Sequence, residues 1–139
     1  MDKLKIKLDD GAKAPIRAYP SDAGLDLFSR EDVVINAKEH YSFNIGVHID
    51  LPEGYTAFVK SRSGLFKKHG IITTGVVDAG YSGSICVTLF NSSGYDYRVH
   101  AGDKIAQMVI LPIETPEVVI VDEIAEEGRG NNGFGSSGR

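Results

Sequence analysis

The sequence predicts an all-β chain folded as a sandwich or jelly roll, and three observations carry the prediction. Short β-branched and aromatic runs are punctuated by turn residues about every 8–12 positions. Only one stretch, Gly64 to His69, has helical character. At 139 residues, 42% hydrophobic and 24% charged, the chain is a single domain with enough apolar side chain for a core.

Taken in order, Lys3 to Leu8 alternates with period two and reads as a strand. Gly11 to Pro15 is a turn, and Ile16 to Tyr19 is a second strand. Ser21-Asp22-Ala23-Gly24 breaks the pattern before Leu25-Asp26-Leu27-Phe28. Val33-Val34-Ile35 and Tyr41 to Ile49 follow, and the turn Pro52-Glu53-Gly54 returns the chain through Tyr55 to Val59. Ser63 is placed to cap the short helix. Ile71 to Val77 and Ser84 to Phe90 form a hairpin. Tyr95 to Val99, Ile105 to Leu111 and Val118 to Val121 complete the strands.

The composition changes after Ala125. Residues 126–139 hold five glycines and one large apolar side chain, Phe134. Such a segment buries too little surface to offset its ordering entropy, so a mobile Gly-rich tail is expected. The division is a β domain over residues 1–125 and a flexible tail over 126–139.

Charge and composition exclude several classes. The net charge of −4 argues against a surface that coats nucleic acid, so no nucleic-acid partner is expected. No apolar run approaches a membrane span, and Met1 to Leu8 alternates without a signal-peptide core. The single Cys86 excludes an internal disulfide framework and suits a reducing, cytoplasmic setting. Four scattered histidines and one cysteine have no metal-ligand spacing.

The stretch that organises the chain is Gly75-Val76-Val77-Asp78-Ala79-Gly80-Tyr81-Ser82-Gly83. Val76 and Val77 read as the end of a buried strand, and Asp78 sits where that strand meets a turn. A carboxylate between apolar neighbours suits a general base, because partial burial lifts its pKa toward the working range. A tyrosine at a hairpin tip offers a flat face to a sugar or base. The plainer reading is an ordinary turn using Asp and Gly for geometry.

Other polar groups carry the same two readings. Arg62-Ser63-Gly64 at the helix start is either a phosphate site or a plain cap. Gln107, in Gly102-Asp103-Lys104-Ile105-Ala106-Gln107, points either into a site or to solvent. Asp26 faces opposite to Leu25 and Leu27, on an exposed face or toward a magnesium ion. Arg129, followed by Gly and small hydroxyl residues, suits a phosphate chain, and Phe134 suits stacking on a base.

Together these stretches resemble one family, the trimeric dUTP pyrophosphatases (dUTPases). Five motifs stand in that family's order. They are Ala23-Gly24-Leu25-Asp26-Leu27; Pro52 and Gly54 through Arg62-Ser63-Gly64; and Gly75-Val76-Val77-Asp78 with Tyr81 and Gly83. Gly102 to Gln107 is the fourth, and Arg129-Gly130 with Gly133-Phe134-Gly135-Ser136-Ser137-Gly138 is the fifth. Ser82 stands where the family often has Arg or Gln, and Lys104 and Ser137 replace a frequent Arg and Thr.

The resemblance implies a jelly-roll-like subunit, a homotrimer with shared active sites, and hydrolysis of dUTP to dUMP and pyrophosphate. It implies Asp78 as the base acting on water, with Gln107, Ser63 and Arg62 completing the catalytic set. Gly64, Thr74, Gly75, Val76, Val77, Tyr81 and Cys86 are the implied substrate contacts. Arg129, Phe134, Gly135 and Ser136 would close over the nucleotide as a lid. Mg2+ is the implied cofactor, held by Asp26 through water. Two alternatives share the fold. A dCTP deaminase-like enzyme needs an extra carboxylate on the second hairpin arm, and Ser84 to Phe90 contains none. A nucleotide-gated regulatory binding protein would not need Asp78, Ser63, Gln107 and Arg129, all of which are present.

Overall fold

The structure, a computed structural model, describes residues 1–133 and Gly135. In chain order the elements are β1 (Lys5–Leu8), β2 (Gly24–Phe28), β3 (Val33–Ile35), β4 (His40–Asn44), β5 (Val47–Asp50) and β6 (Tyr55–Lys60). Then come α1 (Ser63–His69), β7 (Ile71–Ile72), β8 (Thr74–Val77), β9 (Cys86–Asn91), β10 (Tyr97–Val99) and β11 (Lys104–Pro112). This is the all-β, jelly-roll-like subunit with one short helix that the turn spacing predicts.

The strands form a four-stranded sheet, β2-β11-β6-β8, a three-stranded sheet, β4-β9-β7, and the pairs β1-β5 and β10-β3. Every pairing is antiparallel. Period-two patterning puts one face of each strand inward, most clearly in β9, where Val87, Leu89 and Asn91 are buried and Cys86, Thr88 and Phe90 are exposed. Leu27, Phe43, Ile45, Val87, Leu89 and Met108 are fully enclosed in one core. Each such side chain stabilises the fold by about 1.5–3 kcal/mol, and Phe43→Ala would cost about 3–5 kcal/mol through the cavity it leaves. Asn91 is the polar exception; its amide donates to the Ile35 and Tyr95 carbonyls, so nothing is left unpaired.

Several sequence expectations are corrected. Ile16 to Tyr19 is not a strand: only Ile16 bridges to Asp26. Asp22 captures the rest, its carboxylate accepting from the Tyr19 amide and its carbonyl from Arg17. Tyr41 to Ile49 is broken at Gly46 (φ +71°), where a Cβ would lie 2.7 Å from the Arg30 guanidinium carbon. Ser63 is not the N-cap. Arg62 holds that position without a side-chain bond, and Ser63 is the first helical residue. Gly70 (φ 66°) closes the helix, and Lys67, Lys68 and His69 sit favourably at its negative end.

The Ile71–Val77 strand is interrupted at Thr73, whose amide bonds the Ser61 hydroxyl. Val118 to Val121 forms no strand; its side chains are exposed, Ile120 among them at 95%. The last ladder residue is Pro112, and Ile113 adds one further bond, to the Gly54 carbonyl. Beyond it no strand of the described residues lies alongside, and a strand without a partner leaves its backbone to water.

Candidate active site

The Ile71–Phe90 hairpin closes only at its base, where Ile71 pairs with Asn91 and Ile72 with Phe90. Past Thr73 the arms part. β8 turns to β6 and becomes the edge of the four-stranded sheet, while β9 pairs with β4. The chain before β9 is held elsewhere too, because Ile85 exchanges bonds with Ile45 and Val47. A cleft of about 230 Å³ therefore opens between the arms, lined by Val76, Val77, Asp78, Tyr81, Ile85 and Cys86. Its walls are strand edges without a ladder partner on the cleft side among the described residues, and a planar heterocycle is able to pair with such edges.

The loop at the mouth is tightly shaped. The Tyr81 amide bonds the Asp78 carbonyl, and Gly80 takes φ +84°. The Tyr81 hydroxyl donates to the Ser84 carbonyl at 2.9 Å, which folds the ring over Gly83. A Cβ on Gly83 would sit 2.5 Å from that hydroxyl oxygen, so the ring position requires glycine there. Ser84 in turn bonds Asn44, whose side-chain oxygen also accepts from the Gly46 amide and Arg30.

Two expectations at the mouth fail within one chain. Val77 is buried, but Val76 is 64% exposed, because it projects from the outer face of an edge strand. Asp78 is exposed as well, so the partial burial expected from its apolar neighbours is not supplied by this chain.

A second constellation lies at the other side of the same sheet. Asp26 on β2 faces Gln107 on β11, with its carboxylate 3.2 Å from the Lys104 ammonium and 3.7 Å from the Arg62 guanidinium. The Asp26 side chain is 15% exposed, which makes this a half-buried, two-cation pair. Gln107 donates to the Ser61 carbonyl at 3.0 Å. Gly24 is required beside it, since any Cβ would collide with the Gln107 amide oxygen. Ser63 and Gly64, at the exposed start of α1, follow Arg62 directly.

The two constellations do not meet in one chain. Asp26, Gln107, Lys60 and Thr74 form one row across the sheet. Asp78 lies three strands over from Asp26 and four residues further along, which separates them by about 20 Å. Thr74 and Gly75 line the route between. In the tail, Arg129 is exposed and its guanidinium closes a local turn onto the Asn132 carbonyl at 2.6 Å. Gly135 is exposed in a turn, and Phe134 and Ser136 lie outside the described residues.

Sequence reasoning missed the residues that hold these pieces together. Ser61 joins three elements: its carbonyl receives Gln107, and its hydroxyl bonds both the carbonyl and the amide of Thr73. His48, Asn44 and Arg30 brace the Asp78 loop from below. No local pattern marks them, since each partner is remote in sequence. A metal cage is also missing: among the described residues no group of three His, Cys, Asp or Glu is placed to hold an ion. Asp26 is the one acid among the cations at its site, a donor set suited to a hydrated ion carried mainly by substrate phosphates.

The architecture is that of an all-β, jelly-roll-like protein, and comparison with known proteins gives the family. Residues 10–138 match the family model for dUTPase. The deoxyuridine 5'-triphosphate nucleotidohydrolase of Clostridium tetani is 45% identical over 98% of this chain and 97% of its own length. That of Arabidopsis thaliana is 44% identical over 95% and 80%. The structure of the Staphylococcus bacteriophage 80alpha dUTPase with dUPNHPP superposes with a TM-score of 0.94 at 34% identity, covering all of both chains. A mutant dUTPase from phage phi11 of S. aureus, described with a structural Mg(II) ion, gives 0.84 at 33% over 90% of this chain and all of its own. The chain belongs to the dUTPase family.

Proposed function

We propose that this chain hydrolyses dUTP to dUMP and pyrophosphate, which keeps uracil out of DNA and supplies dUMP for thymidylate synthesis. The observation that carries the reading is the open hairpin with Asp78 and Tyr81 at its mouth, within a chain that matches the dUTPase family over residues 10–138. Uracil enters between the arms and pairs with backbone groups of Val76, Val77 and Cys86, flanked by Thr74 and Gly75. A 5-methyl group meets packed backbone, and a 4-amino group faces a donor and leaves it unpaired, so dTTP and dCTP are rejected. Tyr81 lies under the sugar and leaves little room for a 2′-hydroxyl.

Asp78 takes a proton from water as the water oxygen attacks the α-phosphorus in line, and the bond to the pyrophosphate oxygen breaks. Gln107 positions the α-phosphate and water, and Arg62, Ser63 and Gly64 donate to phosphate oxygens. Asp26 would hold the water shell of Mg2+, which when bound neutralises phosphate charge. Arg129 with Gly135 and Ser136 closes over the γ-phosphate, and Phe134 over the uracil, making residues 126–139 a lid on the 1–125 domain.

The separation of Asp78 from Asp26 supports a homotrimer with shared sites, in which Asp78 of one chain works with the Asp26 cluster of a neighbour. The exposed apolar run around Val118 to Ile124 points the same way, because association would cover it. No helix among the described residues is long and apolar enough to cross a membrane; the single cysteine, Cys86, supports a reducing, cytoplasmic setting. The test is pyrophosphate release from dUTP, with dCTP, dTTP and UTP as controls and ammonia measured in parallel. Rapid release from dUTP alone is expected; ammonia from dCTP, or binding of dUTP without turnover, would overturn the reading.

A further inference from the structure

His48 stands in the middle of β5 and does something its neighbours on that strand do not. Its Nδ1 lies 2.7 Å from the Ser82 carbonyl oxygen, and its Nε2 lies 3.0 Å from both oxygens of Asp9. A carbonyl and a carboxylate are both acceptors. An imidazole satisfies two acceptors only when both ring nitrogens carry protons. The side chain is 22% exposed, enclosed enough for the contacts to persist and open enough for protons to exchange. Ser82 belongs to the loop from Asp78 to Gly83, and Asp9 follows β1, so one ring spans the opening segment of the chain and the loop that carries Asp78.

We propose that His48, as its imidazolium, is a positioning residue for Asp78, clamping the Ser82 carbonyl to Asp9 and so fixing the loop that presents the base. This rests on the reading of Asp78 as that base. The surroundings favour the charged ring on balance. The Ser82 carbonyl and Asp9 raise the pKa of His48 above its ordinary value, against some desolvation and the opposing charge of Lys7, its cross-strand partner. His48 in turn lowers the pKa of Asp9, with help from Lys7 and Arg30. Lys5 and Asp50 line the same cleft, and Asp78 is the single charged residue of the loop itself.

The direction with pH follows. Because the folded value is raised, the double clamp is complete below about pH 6.5 and is lost as pH rises through that higher value. A neutral ring keeps its proton on the stronger, charge-assisted bond to Asp9 and turns a lone pair toward Ser82. The loop then loses its tie at Ser82 and keeps the one at Ser84, where Tyr81 and Asn44 hold it. The loss is therefore partial, equivalent to one hydrogen bond, or about 2- to 10-fold in kcat/KM.

Asp9→Asn is the informative variant. An asparagine amide donates to the Nε2 lone pair of a neutral ring, which leaves Nδ1–H on Ser82 at every pH. Full-length enzyme is assayed with dUTP and saturating magnesium from pH 6 to 9 as wild type, Asp9→Asn and His48→Gln. The substrate phosphate titrates identically in all three, so ratios between them isolate the ring. The wild-type to Asp9→Asn ratio is expected to fall about 2- to 10-fold across the range. The wild-type to His48→Gln ratio is expected to fall to near one. Nitrogen-15 NMR of the imidazole should show both nitrogens protonated, with a midpoint above 6.5 in wild type and a lower midpoint in Asp9→Asn. Flat ratios, or a His48 midpoint at or below 6.5, overturn the proposal. The NMR midpoints do not depend on Asp78. A wrong assignment of the base would instead appear as turnover in Asp78→Asn.

Discussion

The two ends of the four-stranded sheet are built on opposite plans. Around Asp26 the side chains are already paired with one another: Lys104 and Arg62 bracket one carboxylate, and Gln107 is fixed to Ser61. Around Asp78 the backbone is shaped by its own turn, and the cleft presents strand edges without a ladder partner among the described residues, an exposed carboxylate and a tyrosine face. The first plan suits a ligand whose charge is strong and whose shape is forgiving, because fixed cations cost no reorganisation when phosphate arrives. The second suits a ligand that must be distinguished atom by atom, because unsatisfied N–H and C=O groups penalise every wrong partner. A nucleotide triphosphate has one part of each kind.

The largest effect tests the separation directly. Asp78→Asn keeps shape and loses the base, so turnover should fall at least ~100-fold while dUTP still binds. Asp26→Asn should also be inactive, by releasing Lys104 and Arg62 from their anchor. Mixed after co-refolding, the two inactive chains should regain turnover, since some sites then combine an intact Asp78 with an intact Asp26. Steady-state pyrophosphate release measures this, and mixtures as inactive as their parents would place both carboxylates in one chain's site.

The next effect concerns the tail. Removing residues 128–139 takes away Arg129 and its charge-assisted contacts, so kcat/KM should fall about 10- to 100-fold. The melting temperature should hardly move, because residues 126–132 are exposed and none of them belongs to the core. A truncated enzyme with full kcat/KM, or one that melts early, would deny the lid.

How much of this was legible beforehand follows from the range of each interaction. The strands with a buried face announced themselves by alternation, as in β9, and the five motifs brought Asp26, Arg62, Asp78 and Gln107 forward together. Local pattern failed where a distant partner decided the outcome. Ile16 to Tyr19 has the composition of a strand, but Asp22 takes its donors, and Val118 to Val121 has strand composition but no partner strand among the described residues. The sequence reads the hairpin as one unit, but only its base, β7 with β9, shares a sheet; past Thr73 the first arm, β8, belongs to another. Ser61 and His48 are invisible for the same reason, since a serine just after a strand or a histidine within one says nothing about what lies across from it.

A smaller effect sharpens the Tyr81 end. Gly83→Ala would drive a methyl group into the Tyr81 hydroxyl and swing the ring away from its bond to Ser84. Losing one hydrogen bond's worth of order should raise KM for dUTP about 2- to 10-fold with kcat less affected. Discrimination against UTP should weaken in parallel, because the ring no longer closes the space beside the sugar. Unchanged KM for both nucleotides would remove Tyr81 from the substrate contacts.

The smallest effect lies at Thr73, where the two plans join. Its backbone is fully used, the amide and carbonyl both bonding the Ser61 hydroxyl. The residue is 5% exposed, and Oγ1 has no partner among the described residues. A buried hydroxyl left unpaired costs stability, and replacing it with a methyl group of similar size removes that cost. Thr73→Val should therefore raise stability by up to about 1 kcal/mol, read as a rise of a few degrees in melting temperature. Backbone geometry at the break between β7 and β8 should persist, because Ser61 holds it, and kcat/KM should be unchanged. Had the hydroxyl a partner across an interface or on the nucleotide, the same change would lower the melting temperature or raise KM. Either outcome would move Thr73 from the frame of the site into its working surface.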